Sequence, residues 1–139
     1  MIYALDSNII SGILKDNETV CSKHDSVLQR RIPCIIPIMV HYEVLRGLEA
    51  NDAKKQLGIF QEFCETVLIP ELTLDDTVAA AKIYAYRKNR GLPVGDADIL
   101  IAAQCVARGY TLVTNNTKHF EGIDDLLLED WTKDEDTAT

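Results

Sequence analysis

Residues 94–114, VGDADILIAAQCVARGYTLVT, decide how the chain folds. The segment opens with a turn, continues as a helix that is apolar on nearly every side, and passes into the short strand YTLVT (110–114). A helix of this kind belongs in the interior, and a short apolar strand beside it belongs to a sheet covered by helices. Two aspartates, Asp96 and Asp98, nevertheless open the helix. A carboxylate beside apolar surface must be capped, paired or bound to a metal.

Short apolar runs alternate with amphipathic segments along the whole chain. Further strands are predicted at 2–5, 33–37, 67–70 and 126–129, and further helices at 9–14, 18–31, 38–50, 52–67 and 74–91. The helix at 74–91 is expected to carry an aspartate cap, and NNTKHF (115–120) to form a turn. This alternation predicts an α/β, three-layer fold with a central parallel sheet of four to five short strands flanked by helices. Residues 1–132 are expected to form one domain, and residues 133–139 a frayed acidic tail.

The composition is that of a globular protein, with 47% hydrophobic and 26% charged residues. No apolar run approaches the ~20 residues of a membrane span, and the N-terminus lacks a basic signal region, so we expect a cytoplasmic protein with no membrane partner. Four scattered cysteines, without a C-x-x-C pair, predict reduced core residues. The net charge of −8 disfavours a general nucleic-acid binder. The basic run at 87–90 still offers Arg87, Lys88 and Arg90 as RNA contacts, with a solvated helix end as the alternative.

Two carboxylates stand out elsewhere in the chain. Asp6 directly follows the first strand, where α/β folds bind ligands, although it is equally suited to capping the next helix. Glu43 lies in mid-helix, and the alternative there is a surface pair with Arg46. Gly47, one turn further on, leaves a bare helix face that suits the close approach of another segment or a ligand.

The pair Asp96 and Asp98 divides into two roles. Residues two apart on a helix project about 200° apart, so both side chains cannot face one point. Asp96 is expected near the cap position. Asp98 shares the buried face of its helix with Ile101, Ala102 and Cys105, and a carboxylate held there needs a cation.

A metal ion would supply that cation if Asp6, Glu43 and Asp98 converge. Mutual repulsion would otherwise raise the pKa of one of them. Oxygen donors alone suit Mg²⁺, and Mn²⁺ is the expected substitute. Such an ion grips phosphate oxygens and activates water for in-line displacement at phosphorus. The chemistry predicted is hydrolysis of a phosphodiester bond.

Four stretches resemble PIN-domain proteins of the VapC toxin type: YALDSNII (3–10), HYEVLRG (41–47), GLPVGDADILIAAQCVARGYTLVTNNTKHFEGI (91–123) and LLLEDW (126–131). The resemblance implies a PIN-like fold and a Mg²⁺-dependent endoribonuclease with Asp6, Glu43 and Asp98 as catalytic metal ligands. It also implies a type II toxin that forms a homodimer and assembles with a cognate antitoxin. In the enterobacterial branch, which the chain resembles most, the substrate is initiator tRNA, cut in the anticodon stem-loop.

One position departs from the family pattern. Many PIN domains carry a fourth acid where this chain has Asn116, which can offer a carbonyl oxygen but no charge. Four residues are expected to support the acids from outside the ligand set: Asn8, Asp96, Thr114 and Asn116. His41 and His119 are left out, since a metal-activated water needs no histidine and nothing in the sequence fixes either one near the acids.

Other phosphate-handling folds fit less well. A haloacid-dehalogenase-type phosphatase needs an aspartate where Asn8 stands, and a receiver domain needs an acidic pair at the first strand. The remaining alternative is a catalytically degenerate PIN-like module that binds RNA or protein, which Asn116 and the acidic net charge favour. An acidic site also predicts its inhibitor, an antitoxin arginine inserted among the carboxylates in a bidentate contact.

Overall fold

A parallel sheet of four short strands lies at the centre of the molecule, in the order β2–β1–β3–β4. The structure, a computed structural model, describes residues 1–134. The strands are β1 (Tyr3–Leu5), β2 (Cys34–Ile35), β3 (Thr111–Val113) and β4 (Leu127–Glu129). The helices are α1 (Ser7–Leu14), α2 (Glu18–Gln29), α3 (Ile38–Ala50), α4 (Lys54–Cys64), α5 (Leu74–Asn89), α6 (Asp96–Arg108) and α7 (Thr117–Phe120). The predicted α/β class, a parallel sheet flanked by helices, is confirmed with four strands.

The core forms where the central strands meet α1 and α6. β1 and β3 are fully buried, as parallel strands between two helix layers must be. Ile9 and Ile10 of α1 and Ile101 of α6 have no exposed surface. Trp131, after β4, closes the core by packing edge-on against Tyr3 of β1, with ring centroids 5.4 Å apart. Because β1 and β3 pair in parallel, their carboxyl ends lie side by side.

Polar contacts hold both ends of α5 against the rest of the fold. At one end, Arg108 of α6 forms a 2.8 Å ion pair with the buried Asp76 of α5. At the other, the buried Arg87 donates from Nε to the carbonyl of Leu92 (3.1 Å) and from a terminal nitrogen to that of Glu121 (2.8 Å). These contacts hold the loop before α6, and with it the start of α6, in a defined position.

Three local predictions are corrected. Residues 67–70 form no strand, because Leu68 is 75% exposed and makes only one bridge, to Ile35 of the two-residue β2. The cap of α5 is Thr73, which exchanges hydrogen bonds with Asp76 in a capping box, and so the predicted aspartate cap is wrong. The predicted turn at 115–120 contains the helix α7. The predicted tail at 133–139 lies mostly outside the described residues.

Candidate active site

Asp6 ends β1 and is held by three donors. The Ser7 backbone N–H donates to Oδ1 (2.8 Å), while Oδ2 accepts from the Thr114 hydroxyl (2.8 Å) and from Nδ2 of Asn8 (3.3 Å). Asp6 is 5% exposed. Burial raises its pKa above the ordinary value and the nearby charge of Asp98 adds to the rise, whereas the three hydrogen bonds oppose it. Asp6 also caps α1, as the sequence allowed, and its role as a metal ligand stays a prediction.

Asn8 and Thr114 form a bridge between the ends of β1 and β3. Nδ2 of Asn8 lies 3.2 Å from the Thr114 hydroxyl, and its Oδ1 accepts from the Asn115 backbone N–H (2.9 Å). The Thr114 hydroxyl also accepts from the Asn116 N–H (3.1 Å). The structure therefore places Asn8 and Thr114 beside Asp6, in the supporting positions expected of them. Asn116 joins this network through its backbone, and its side chain is exposed with no hydrogen bond within residues 1–134.

Asp98 lies in the first turn of α6, half-buried, and contacts a residue of α7. Nε2 of His119, on α7, lies 2.8 Å from Oδ2 of Asp98. Asp98 carries the charge that reaches Asp6 and Glu43. Asp96 is exposed at the first position of α6, after the N-cap residue Gly95, and caps nothing with its side chain. Asp98 is thus the inward-facing acid of the pair, as the helix geometry predicted.

Glu43 brings the third carboxylate from α3. Its Oε1 is buried and has no hydrogen-bond partner within the described chain. Burial raises the pKa of Glu43, and the charges of Asp6 and Asp98 raise it further, while Arg46 lowers it. A buried carboxylate oxygen without a hydrogen-bond partner costs stability. Its presence in a folded protein therefore suggests that the oxygen binds a partner from outside the chain.

The arrangement of the acids bears on whether a metal could bind. Within residues 1–134, no three His, Cys, Asp or Glu side chains form a group that could hold one metal ion as they stand. Burial is the main cause of the raised pKa values of Asp6 and Glu43, and repulsion between the carboxylates adds to it when no cation lies between them. The orphaned Oε1 of Glu43 and the oxygen-only donor set fit a hard divalent cation, which would relieve both costs.

An open cleft leads to this site. It has a volume of about 390 Å³ and is lined mainly by α1 and α3, including Asn8, Glu43 and Gly47. A side chain at Gly47 would meet no atom within 4 Å. The bare helix face noted in the sequence therefore opens onto the cleft.

The basic residues at the end of α5 separate into two kinds. Arg87 is buried, and its guanidinium donates hydrogen bonds to backbone carbonyls. These contacts contradict its predicted contact with RNA. Lys88 and Arg90 are exposed, each beside a tyrosine ring, 5.7 Å from Tyr84 and 3.5 Å from Tyr86 respectively. Their contact with RNA stays a prediction.

Sequence reasoning missed His119. Its signal was available, because His119 follows the end of β3 by six residues and the strand-end rule that selected Asp6 applies there equally. What the sequence lacked was the pairing across 21 residues between α7 and α6. His41, also left out, stacks on Phe60 with ring centroids 5.6 Å apart.

Comparison with known proteins identifies the fold that carries these acids. The PIN domain family matches residues 3–126. The chain belongs to the PIN family. Ribonuclease VapC2 of Rickettsia felis is 30% identical over 140 residues, covering 96% of this chain and all of the relative. The protein is accordingly a ribonuclease of the VapC group, and PIN-domain ribonucleases are in general metal-dependent.

Further relatives and solved structures agree on the PIN fold. A tRNA(fMet)-specific endonuclease VapC of Shigella flexneri is 27% identical over 94% of this chain and 98% of its own. The structure of VapBC2 from Rickettsia felis bound to a DNA fragment from its promoter matches with a TM-score of 0.86 and 26% identity, over 94% of this chain and 99% of that one. VapBC-1 from nontypeable Haemophilus influenzae matches with a TM-score of 0.84 and 26% identity, over 96% of this chain and 100% of that one.

A search for membrane-spanning segments adds one finding. Within residues 1–134, no helix combines the length and the apolar character needed to cross a bilayer.

Proposed function

We propose that this protein is the toxin of a toxin–antitoxin pair and a Mg²⁺-dependent endoribonuclease that acts in the cytoplasm, with Asp6, Glu43 and Asp98 as its metal ligands. The observation that carries the proposal is the buried, unpaired Oε1 of Glu43 together with the mutual charge effects among the three acids. Mn²⁺ is expected to substitute for Mg²⁺, since both prefer oxygen ligands.

Each side chain has a task in this proposal. When bound, the ion supplies a Lewis acid that polarises the scissile phosphate and lowers the pKa of an attacking water. Ser7, Asn8 and Thr114 orient Asp6, so that its carboxylate is preorganised before any ion arrives. Asp98 contributes from the start of α6. Glu43 contributes from α3, where it lines the open cleft proposed to receive the RNA strand.

Initiator tRNA, cut in the anticodon stem-loop, is the proposed substrate. The support comes from relatives named tRNA(fMet)-specific endonucleases in Shigella flexneri and Salmonella typhimurium, each 27% identical to this chain. Lys88 and Arg90 are the proposed phosphate contacts, because both are exposed at the C-terminal end of α5, ten and eight residues before Asp98. An acidic protein needs such local cations to bind RNA.

The proposed partner is a cognate antitoxin that inserts an arginine among the three acids. Several structural neighbours are complexes titled VapBC, which supports a partner of this kind. A guanidinium would satisfy the unpaired oxygen of Glu43 in a bidentate contact and exclude the metal at once. A homodimer and a hetero-oligomer with the antitoxin are the proposed assemblies.

Cleavage of a total tRNA pool tests the activity. Purified protein, Asp98→Asn and the matched control Asp96→Asn are each incubated with Mg²⁺ or with EDTA. Discrete fragments are expected only with Mg²⁺, from the wild type and from Asp96→Asn, because Asp96 is exposed and its side chain caps nothing. Fragments that persist in EDTA or with Asp98→Asn would refute the metal-dependent mechanism.

A second function keeps one observation in its favour. Asn116 stands where many PIN domains have an acid, and its side chain is exposed, so the site carries one charge fewer than in those relatives. A PIN-like binding module that had lost catalysis would bind the same tRNA pool without cutting it. RNA retention without fragments, at every Mg²⁺ and Mn²⁺ concentration, would select this function.

A further inference from the structure

We propose that His119 is a positioning residue that fixes the carboxylate of Asp98 for metal binding; this inference rests on the proposed function. Nothing in the family comparison or in the names of the relatives assigns a role to this histidine. The contact that suggests it joins α7 to α6, two helices that the sheet brings to the same edge.

The hydrogen bond itself is short and directional. Nε2 of His119 lies 2.8 Å from Oδ2 of Asp98, which is the range of charge-assisted hydrogen bonds. A carboxylate offers only acceptor atoms, so the proton lies on Nε2. The neutral Nε2–H tautomer and the imidazolium both supply that proton, and the contact therefore does not depend on the charge of the ring.

His119 is itself held in place. Its backbone N–H donates to the carbonyl of Asn116 (3.1 Å), and its ring packs edge-on against Phe120, with centroids 5.6 Å apart. Phe120 is part of the core. The imidazole thus links a carboxylate on α6 to the buried side of α7.

Asp98 has no second support. Its side chain is 30% exposed and accepts no other hydrogen bond from residues 1–134, whereas Asp6 accepts from three donors. The bond occupies Oδ2 and leaves Oδ1 without a protein partner. Removing the imidazole would free the carboxylate to rotate between rotamers, and an ion would then have to order it at the moment of binding.

The test compares three variants of His119 and its neighbour. His119→Gln places an amide N–H near the position of Nε2, His119→Leu keeps the bulk without a donor, and the control Lys118→Gln alters an exposed neighbour on the same helix. Mn²⁺ affinity is measured on metal-free protein by isothermal titration calorimetry in the absence of RNA, and tRNA cleavage is measured separately. Circular dichroism melting shows that each variant folds.

We expect His119→Leu to lose about 10- to 100-fold in Mn²⁺ affinity. His119→Gln should retain most of the wild-type affinity, and the control Lys118→Gln should retain all of it. Cleavage at subsaturating metal should follow the same order. Since glutamine cannot transfer a proton, its rescue of cleavage also separates positioning from acid–base catalysis.

Three results would overturn the inference. Equal Mn²⁺ affinity in wild type and both His119 variants would exclude a positioning role while leaving the proposed function intact. Normal affinity with lost cleavage in both variants would make His119 an acid–base catalyst instead. A wild type that binds no Mn²⁺ would refute the proposed metal site, and this inference with it. If His119→Leu loses Mn²⁺ affinity while the wild type binds Mn²⁺ but cuts no tRNA, the positioning role is upheld and only the ribonuclease activity is refuted.

Discussion

At the scale of single residues, the site is built from side chains that cost stability. Burial and neighbouring charge raise the pKa of Asp6 and of Glu43, so the folded protein disfavours their ionised forms relative to the unfolded chain. A group with a raised pKa contributes stability at low pH, and that contribution is lost as the pH rises through its folded-state pKa. At neutral pH the carboxylates therefore destabilise the fold until a cation neutralises them.

Glu43→Gln tests this cost directly. The variant removes the charge from a buried oxygen that has no partner while keeping the shape of the side chain. In EDTA at pH 7 we expect its Tm to exceed that of the wild type by roughly 1 to 3 °C. Mg²⁺ should raise the Tm of the wild type progressively and that of the variant much less, because a ligand stabilises only the state that binds it. Calorimetry in EDTA and in a Mg²⁺ series measures both effects.

The matched control for this experiment is Glu49→Gln, an exposed glutamate on the same helix. It should change neither the Tm in EDTA nor the response to Mg²⁺. A Glu43→Gln variant that melts below the wild type in EDTA would mean that the ionised carboxylate is already satisfied in the metal-free protein.

At the scale of elements, the helix pair α5 and α6 shows what sequence could and could not predict. The periodicity and the apolar character of the two segments predicted both helices, and the 200° rule separated Asp96 from Asp98 correctly. The role of Arg87 was out of reach, because its two acceptors are backbone carbonyls five and 34 residues away. A backbone carbonyl leaves no mark in the residue pattern.

Arg87→Met should consequently act on stability. The change leaves the Leu92 and Glu121 carbonyls without their charged donor, which is expected to lower the free energy of unfolding by about 2–4 kcal/mol. Arg90→Met removes an exposed cation over Tyr86 and should cost below about 1 kcal/mol. Urea unfolding measures both, and a loss smaller for Arg87→Met than for Arg90→Met would contradict the bridging role.

The strand predicted at 67–70 failed for a reason that belongs to the same scale. Its apolar residues resemble those of a buried strand, yet Leu68 faces solvent beside β2, which is itself only two residues long. Local composition predicts that a segment favours the extended backbone conformation. A β-ladder also needs a neighbouring strand that is long enough to pair with it.

At the scale of the whole molecule, one core supports the whole site. Strand-end rules singled out Asp6, and the resemblance supplied Glu43 and Asp98 as proposed ligands. The charge effects that link these three distant segments required the folded chain. The core shared by β1, β3 and α6 includes Cys105, fully buried two turns after Asp98. If α6 does not open by itself, the site is disrupted only when the whole domain unfolds.

The thiol of Cys105 reports on this directly. All four cysteines, Cys21, Cys34, Cys64 and Cys105, are free thiols in the structure. Burial raises the pKa of Cys34 to about 11 and that of Cys105 to about 12, so neither reacts appreciably at pH 8 without an opening of the fold. A variant that retains only Cys105, with Cys21→Ser, Cys34→Ala and Cys64→Ser, isolates the one that lies on α6.

Labelling of Cys105 by a disulfide reagent should be slowed by the equilibrium constant for global unfolding, at least about 10³-fold relative to the denatured chain. The opening free energy from labelling should match the value from urea unfolding of the same variant within about 1 kcal/mol. A companion variant that retains only the half-buried Cys21 should label faster, since a local opening of α2 exposes it. A lower opening free energy for Cys105 would mean that α6 detaches while the sheet stays folded. Asp98 would then belong to a mobile element, and metal binding would have to order that element as well as the carboxylate.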